Sequence, residues 1–225
     1  MLAPLVEGID LGGQAFPHMS VRTGAVCGVP CRLFRVSFTG ELGYEINVPS
    51  DYGQPVWEAL RERGQAFGMA PYGTEAMHVL RAEKGYIVVG QETDGTVTPD
   101  DLGLAGMIAK SKPDFVGCRS LTRPDLVSPG RKQLVGIMTQ AERMVLDEGA
   151  QIVDNPSQPV PMHMLGHVTS SYWSAACRRS IALALVAGGR TLIGRKVYAT
   201  TPAGLAEAQI CAPIFFDRTG ARVHA

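Results

Sequence analysis

Ser37-Phe38-Thr39-Gly40-Glu41-Leu42-Gly43-Tyr44-Glu45-Ile46-Asn47-Val48-Pro49 reads as the turn and second strand of a hairpin. Residues 31–38 ahead of it have strand character. After it, Tyr44, Ile46 and Val48 alternate with Glu45 and Asn47, the period of a strand with one apolar face. Thr39-Gly40-Glu41-Leu42-Gly43 is turn chemistry, with two glycines able to take positive φ. The spacing turns Glu45 away from the apolar face and places its carboxylate on a strand. An ionised carboxylate only accepts, through two oxygens in one plane, and so matches a flat partner with two parallel N–H donors. Such a residue is a solvated strand glutamate, one half of an arginine pair, or an anchor for a flat ligand. The spacing leaves all three open.

The rest of the composition narrows the class. The 225 residues are 45% hydrophobic and 19% charged, enough for a packed core in one large or two modest domains. Lys+Arg and Asp+Glu balance at 21 each, which gives no electrostatic case for nucleic acid or an acidic membrane surface. No run approaches the roughly 20 apolar residues of a membrane span, and the start lacks a signal-peptide pattern. The five cysteines have no framework spacing and read as reduced thiols of a cytoplasmic protein.

Along the chain, Ser50 and Asp51 are good N-caps for a helix with Pro55 in its first turn. Its expected apolar stripe is Val56, Trp57 and Leu60, and Gly64 suits its C′ position. A second helix is expected over 74–84, with Met77 and Leu80 inward and Gly85 closing it. Residues 86–92 read as a short strand, and 93–101 as an exposed or site-lining loop. A Pro-rich join at Pro124 and Pro129 marks a boundary. Beyond it, strand-like runs at 134–139, 166–172, 180–186, 196–200, 206–211 and 213–217 argue for a small antiparallel barrel.

Other motifs read as ordinary structure. His163 and His167 have metal spacing, but Gly166 opposes a helix and no further ligand lies nearby. Glu75-x-x-His78 is one half of a motif that needs two copies on a bundle. Residues 189–196 nearly spell a P-loop, but Arg195 and Lys196 occupy its Lys and Ser/Thr slots and a strand follows. Cys27-x3-Cys31 has neither zinc-knuckle spacing nor a second pair. No metal site is expected.

The quoted stretch resembles the signature of the aminomethyltransferase family, which includes the glycine-cleavage T-protein and the folate domains of sarcosine- and dimethylglycine-oxidising enzymes. That pattern is Tyr-Thr-Gly-Glu-x-Gly-aromatic-Glu. Its last Glu, which binds the pterin of tetrahydrofolate, falls on Glu45. Its leading Tyr, which lines the folate site, falls on Phe38, keeping the ring and losing the hydroxyl. Tyr86, after Gly85, is placed either to face the cavity of Glu45 or to pack as a strand aromatic. Leu80-Arg81-Ala82-Glu83-Lys84-Gly85-Tyr86, Thr96-Val97-Thr98-Pro99-Asp100-Asp101-Leu102-Gly103-Leu104 and Lys112-Pro113-Asp114-Phe115-Val116-Gly117-Cys118-Arg119-Ser120-Leu121 resemble the branch found in sarcosine oxidase alpha subunits, and Gly166-His167-Val168-Thr169-Ser170-Ser171-Tyr172 resembles the family's C-terminal barrel.

The resemblance implies an α+β fold: a partial folate-binding aminomethyltransferase domain over 1–127, an antiparallel sheet with helices, then a C-terminal antiparallel β-barrel over 128–225. It also implies that the chain begins inside the folate domain, so the family's catalytic Asp has no counterpart and the catalytic residue stays unknown. The implied activity is oxidative demethylation of sarcosine to glycine, with the one-carbon unit captured as 5,10-methylenetetrahydrofolate. The implied ligands are tetrahydrofolate and a sarcosine-derived imine. The implied partners are beta, gamma and delta subunits, with flavin and NAD carried elsewhere in the complex. Alternatives are a T-protein-like aminomethyltransferase, or a folate-binding or structural module without turnover. A sister family of iron–sulfur maintenance proteins has a Lys-Gly-Cys motif, but Tyr86 replaces its thiol. Met77, Gly106 and Cys118 stand where family members have Arg, Trp and Lys.

Overall fold

A computed structural model describes residues 1–224. The chain forms two compact units, Met1–His78 with Asp217–Ala225, and Val79–Phe216.

The first unit is built on a four-stranded antiparallel sheet in the order β1 (Val6–Glu7), β2 (Ser20–Val26), β3 (Val29–Arg35), β4 (Glu45–Asn47). Alternation along β3 is strict: Val29, Cys31, Leu33 and Arg35 are buried, while Pro30 and Arg32 are exposed. Val26, Val29 and Cys31 pack with Ile46 and Val48 and with Val56 and Leu60 of helix α1 (Gly53–Gln65). The i, i+4 pair Val56 and Leu60 makes the buried stripe of α1. Trp57, expected inward, lies one residue round the helix and is 45% exposed. No side chain caps α1: Ser50–Tyr52 forms a 3-10 turn instead. Gly64 also departs from expectation. It lies inside the helix against Met69, and Gly68, at φ +67, takes the C′ role. Its N–H reaches Gln65 O and the Met69 N–H reaches Gly64 O.

In the second unit a closed antiparallel barrel runs β10-β5-β8-β7-β6-β9. Its strands are β5 (Lys132–Thr139), β6 (Gln151–Val153), β7 (Gly166–Ser174), β8 (Arg179–Ala187), β9 (Lys196–Thr201) and β10 (Gly204–Cys211). The antiparallel sheet with helices followed by a barrel is the expected α+β architecture. Two strands differ from expectation. Residues 213–217 form no strand, and the short β6 closes the barrel in their place. The interior is filled by Val135, Ile137, Ile152, Val168, Val197 and Ile210 with five alanines, 182, 184, 199, 206 and 208. Small residues suit the narrow lumen of six strands. On the outside, Leu134, Ile181, Leu183 and Leu185 are covered by Ala82, Ile87, Val97, Leu102 and Phe215. β8 is therefore buried on both faces, which is why it reads as an almost unbroken apolar run.

The covering segment begins at the end of helix α2 (Thr74–Glu83). Gly85 closes it as expected, at φ +71, with its N–H on Ala82 O and the Tyr86 N–H on Arg81 O. Residues 86–92 do not form the expected strand. Val89 makes only an isolated bridge to Thr93. Their shape is set by side chains instead. Arg81 and Glu92 are fully buried and paired at 2.8 Å. Arg81 also donates to Tyr86 O, Gln91 Oε1 and Ser170 Oγ, at 3.1, 2.8 and 2.6 Å. Glu92 accepts from the Val88 N–H, Thr169 Oγ1 and Ser170 Oγ. Thr169 and Ser170 are sequence neighbours and would point to opposite faces of a regular strand. A bulge between Val168 and Ser170 lets both reach one carboxylate. Glu83 adds a second fastening, accepting from Ser174 Oγ at 2.6 Å and from the N–H groups of Phe215 and Phe216 through its carbonyl.

Two outcomes follow for the second unit. Arg81→Met or Glu92→Met strands a buried charge, and urea unfolding reads a loss of about 3–5 kcal/mol for each. The double variant loses less than the sum. Gly85→Ala would place a Cβ 2.5 Å from Pro213 O at a left-handed φ. It lowers stability by about 2 kcal/mol or more in the same assay.

Candidate functional site

Glu45 is the first residue of β4, at the edge of the first unit's sheet, and is exposed. As the alternation predicted, Tyr44, Ile46 and Val48 are partly buried while Glu45 and Asn47 point outward. Cross-strand register puts two rows on the outward face. Val21, Phe34 and Glu45 form one, and Thr23, Arg32 and Asn47 the other. The Glu45 carboxylate and the Arg32 guanidinium, one row apart, form no ion pair. Among the described residues the side chains of Glu45, Arg32 and Asn47 make no hydrogen bond. A groove of about 570 Å³ opens along Thr23, Gly24, Pro30, Cys31, Arg32, Asn47, Val48 and Pro49, one pleat period from Glu45. Among the described residues Glu45 pairs with no arginine, which leaves a strand carboxylate that is either solvated or open to a flat ligand, with Phe34 in its row.

The loop before β4 is longer than the expected five-residue turn. β3 ends at Arg35, not at Phe38, so the chain is free of the ladder over 36–44. Phe38 lies in this loop and is 43% exposed. The two signature glycines serve different needs. Gly40 takes the left-handed φ of +80. Gly43 lies so close to the Val36 carbonyl that a Cβ would sit 2.8 Å from its oxygen. Tyr44 packs near Phe16, with ring centroids 6.0 Å apart, and lies under the Arg35 guanidinium.

Tyr86 belongs to the second unit, where it is half-buried after Gly85 and lends its carbonyl to Arg81. It is not a strand aromatic. At Gly106 a Cβ would have nothing within 4 Å, so the position where relatives carry Trp faces open space. Cys27 is exposed and Cys31 buried, and no group of three metal-ligating side chains is found among the described residues. Sequence reasoning missed the loop 93–101 as a structural clasp. Asp101 accepts from the N–H and hydroxyl of Thr98 and from Arg131, which also reaches Thr96 O. Burial pushes the Asp101 carboxyl up, but the Arg131 and Thr98 hydrogen bonds outweigh it and hold its pKa below the ordinary value.

His18, in the first unit, stands edge-on to His224 with ring centroids 5.8 Å apart. Its pKa is lowered from 6.5, first by burial, then by the charges of His224 and Arg35. An unfolded His18 therefore binds a proton at a higher pH than the folded one. Stability is complete above about pH 6.5 and is lost as pH falls toward the folded pKa. Urea midpoints measured across that range fall with acid, and His18→Gln flattens the dependence.

Comparison with known proteins agrees with this architecture. The GCVT N-terminal domain family matches residues 1–112, and the glycine cleavage T-protein C-terminal barrel domain family matches residues 132–217. A sarcosine oxidase subunit alpha from Corynebacterium sp. (strain P-1) is 43% identical over 99% of this chain, and one from Rhizobium meliloti (strain 1021) is 38% identical over 100%. In both, this chain spans 23% of the relative's length. The crystal structure of glycine cleavage system aminomethyltransferase T from Bartonella henselae superposes with a TM-score of 0.73 at 22% identity, covering 84% of this chain and 50% of that one. No helix among the described residues is long and apolar enough to cross a membrane. The matched domain pair, in this order and on this fold, makes the chain a member of the aminomethyltransferase (glycine-cleavage T-protein) family.

Proposed function

We propose that this chain is a tetrahydrofolate-binding region of a sarcosine oxidase alpha subunit. The whole complex would demethylate sarcosine to glycine and capture the one-carbon unit as 5,10-methylenetetrahydrofolate. The observation that carries the reading is the Glu45 carboxylate. It is held on a strand, shares a row with Phe34, and has no protein partner among the described residues. The donor set fits the group: a pterin edge offers parallel N–H donors, and a free carboxylate offers two acceptors in one plane. Tetrahydrofolate, when bound, supplies the nitrogen nucleophiles for a one-carbon unit.

Each residue would then have a distinct task. Glu45 binds and orients the pterin edge. Phe38 supplies a ring wall. Fixing the pterin on a strand limits the freedom of the folate nitrogen relative to an incoming imine, the proximity contribution to such condensations. No residue here is assigned the acid–base step. The relatives named as alpha subunits support an assembly with other subunits; that these are beta, gamma and delta chains of a cytoplasmic heterotetramer, with flavin and NAD carried elsewhere in it, is part of the proposal and rests on the family resemblance. We assign the folate-domain part to residues 1–127 and the barrel domain to 128–225. A T-protein-like aminomethyltransferase is the second reading, favoured by the match of both T-protein domain families.

Calorimetric titration with 5-formyltetrahydrofolate tests the proposal. Glu45→Ala is expected to weaken binding by more than about 1.5 kcal/mol, the lower end for a hydrogen bond to a charged group. Glu45→Gln, which turns one acceptor into a donor, is expected to lose a similar amount. Phe38→Tyr is expected to bind at least as tightly as the wild type. A folded wild-type chain that binds no reduced folate would leave a structural module as the better description.

A further inference from the structure

The loop over residues 36–44 carries Phe38 and leads directly into Glu45, yet it has little internal support. Outside the β-ladders, no backbone hydrogen bond is found for these residues among the described ones. Ser37 Oγ is buried without a partner. Tyr44 fastens one end of the loop through Phe16 and Arg35. In its middle, Glu41 is gripped from the far end of the chain. Arg222 Nε donates to both carboxylate oxygens, at 2.6 and 2.7 Å.

Arg222 is itself well placed to hold on. It lies in the 3-10 turn Ala221–His224. The Asp217 carboxylate accepts from the N–H groups of Ala221 and Arg222, at 3.1 and 3.2 Å, and so fixes the start of that turn. Val223 is buried, and His224 meets His18 edge-on. These residues cluster with the first unit although some 140 residues of the second unit separate them from it in sequence. The signature's two glutamates thus have different environments four residues apart. Glu41 is engaged by Arg222 at the surface, and Glu45 has no partner among the described residues.

We propose that residues 217–224 are a strap that fixes the conformation of loop 36–44, with Arg222 and Glu41 as positioning residues for Phe38 and Glu45. The effect on a ligand rests on the folate reading above; the strap itself does not. A double-mutant cycle on the full chain, Arg222→Ala, Glu41→Ala and both together, separates the two. Amide hydrogen exchange over 36–44 reads the strap, and 5-formyltetrahydrofolate titration reads its consequence.

Each single variant is expected to speed exchange in the loop and weaken the ligand by about two- to fivefold, the range of a well-formed surface ion pair. The double variant should be no worse than either single one, and Arg222→Lys should restore part of the loss. Glu45→Ala should leave loop exchange unchanged while weakening binding by about tenfold or more. Unchanged exchange in both single variants, or fully additive effects in the double, overturns the strap. Loop exchange that responds as expected in a chain that binds no folate upholds the strap and sinks the folate reading alone.

Discussion

The second unit depends on one buried ion pair. Arg81 and Glu92 have no exposed side-chain surface, and removing both from water is costly unless their remaining donors and acceptors are met. The fold meets most of that demand from three places: the carbonyl of Tyr86, the side chain of Gln91, and the hydroxyls of Thr169 and Ser170 on β7. The segment between α2 and the barrel therefore takes its shape from the pair and not from a backbone ladder. The bulge in β7 is part of the same solution. Only there can adjacent residues present two hydroxyls to one carboxylate. Arg81 Nε stays without a partner, so the arrangement satisfies the charges without exhausting every donor.

The first unit is organised by the opposite economy. Its sheet is regular and its apolar face well packed, but the loop that carries the site is held at few points. Segments with few backbone hydrogen bonds open at lower free energy than the sheets that bear them. Under the folate reading proposed above, that suits a loop beside a ligand site, provided some contact sets its resting shape. Here the contacts are the Tyr44 ring against Phe16 and Arg35, and the Glu41 carboxylate on Arg222. Glu45 escapes this looseness because it is the first residue of β4, paired in register with Phe34.

The candidate site was legible in the sequence to the extent that it is local. The alternation of Tyr44, Ile46 and Val48 with Glu45 and Asn47 fixed which way Glu45 points, because the strand period of two admits no other outcome. Gly85 announced the end of α2 for a similar reason: only a residue without a Cβ tolerates that φ beside the Pro213 carbonyl. The misses share a cause. Residues 86–92 have strand composition, but side-chain charges that meet through the fold decide their path. Residues 213–217 look like a strand, yet the barrel closes through β6, a three-residue strand too short to carry a periodic signal. Trp57 looked inward because the width of an apolar stripe depends on what it packs against.

The sequence by itself determined the elements with local causes: the hairpin and the face on which Glu45 sits, the two helices, the glycine that stops α2, and the run of short strands that had to form an antiparallel barrel. Tertiary structure alone decided which distant polar groups meet. Arg81 finds Ser170, 89 residues away, and Arg222 finds Glu41, 181 residues away. Periodicity and turn chemistry act over a few residues. Ion pairs and shared carboxylates are chosen by where the packed sheets bring distant segments, and that choice made Glu41 a fastening and left Glu45 free.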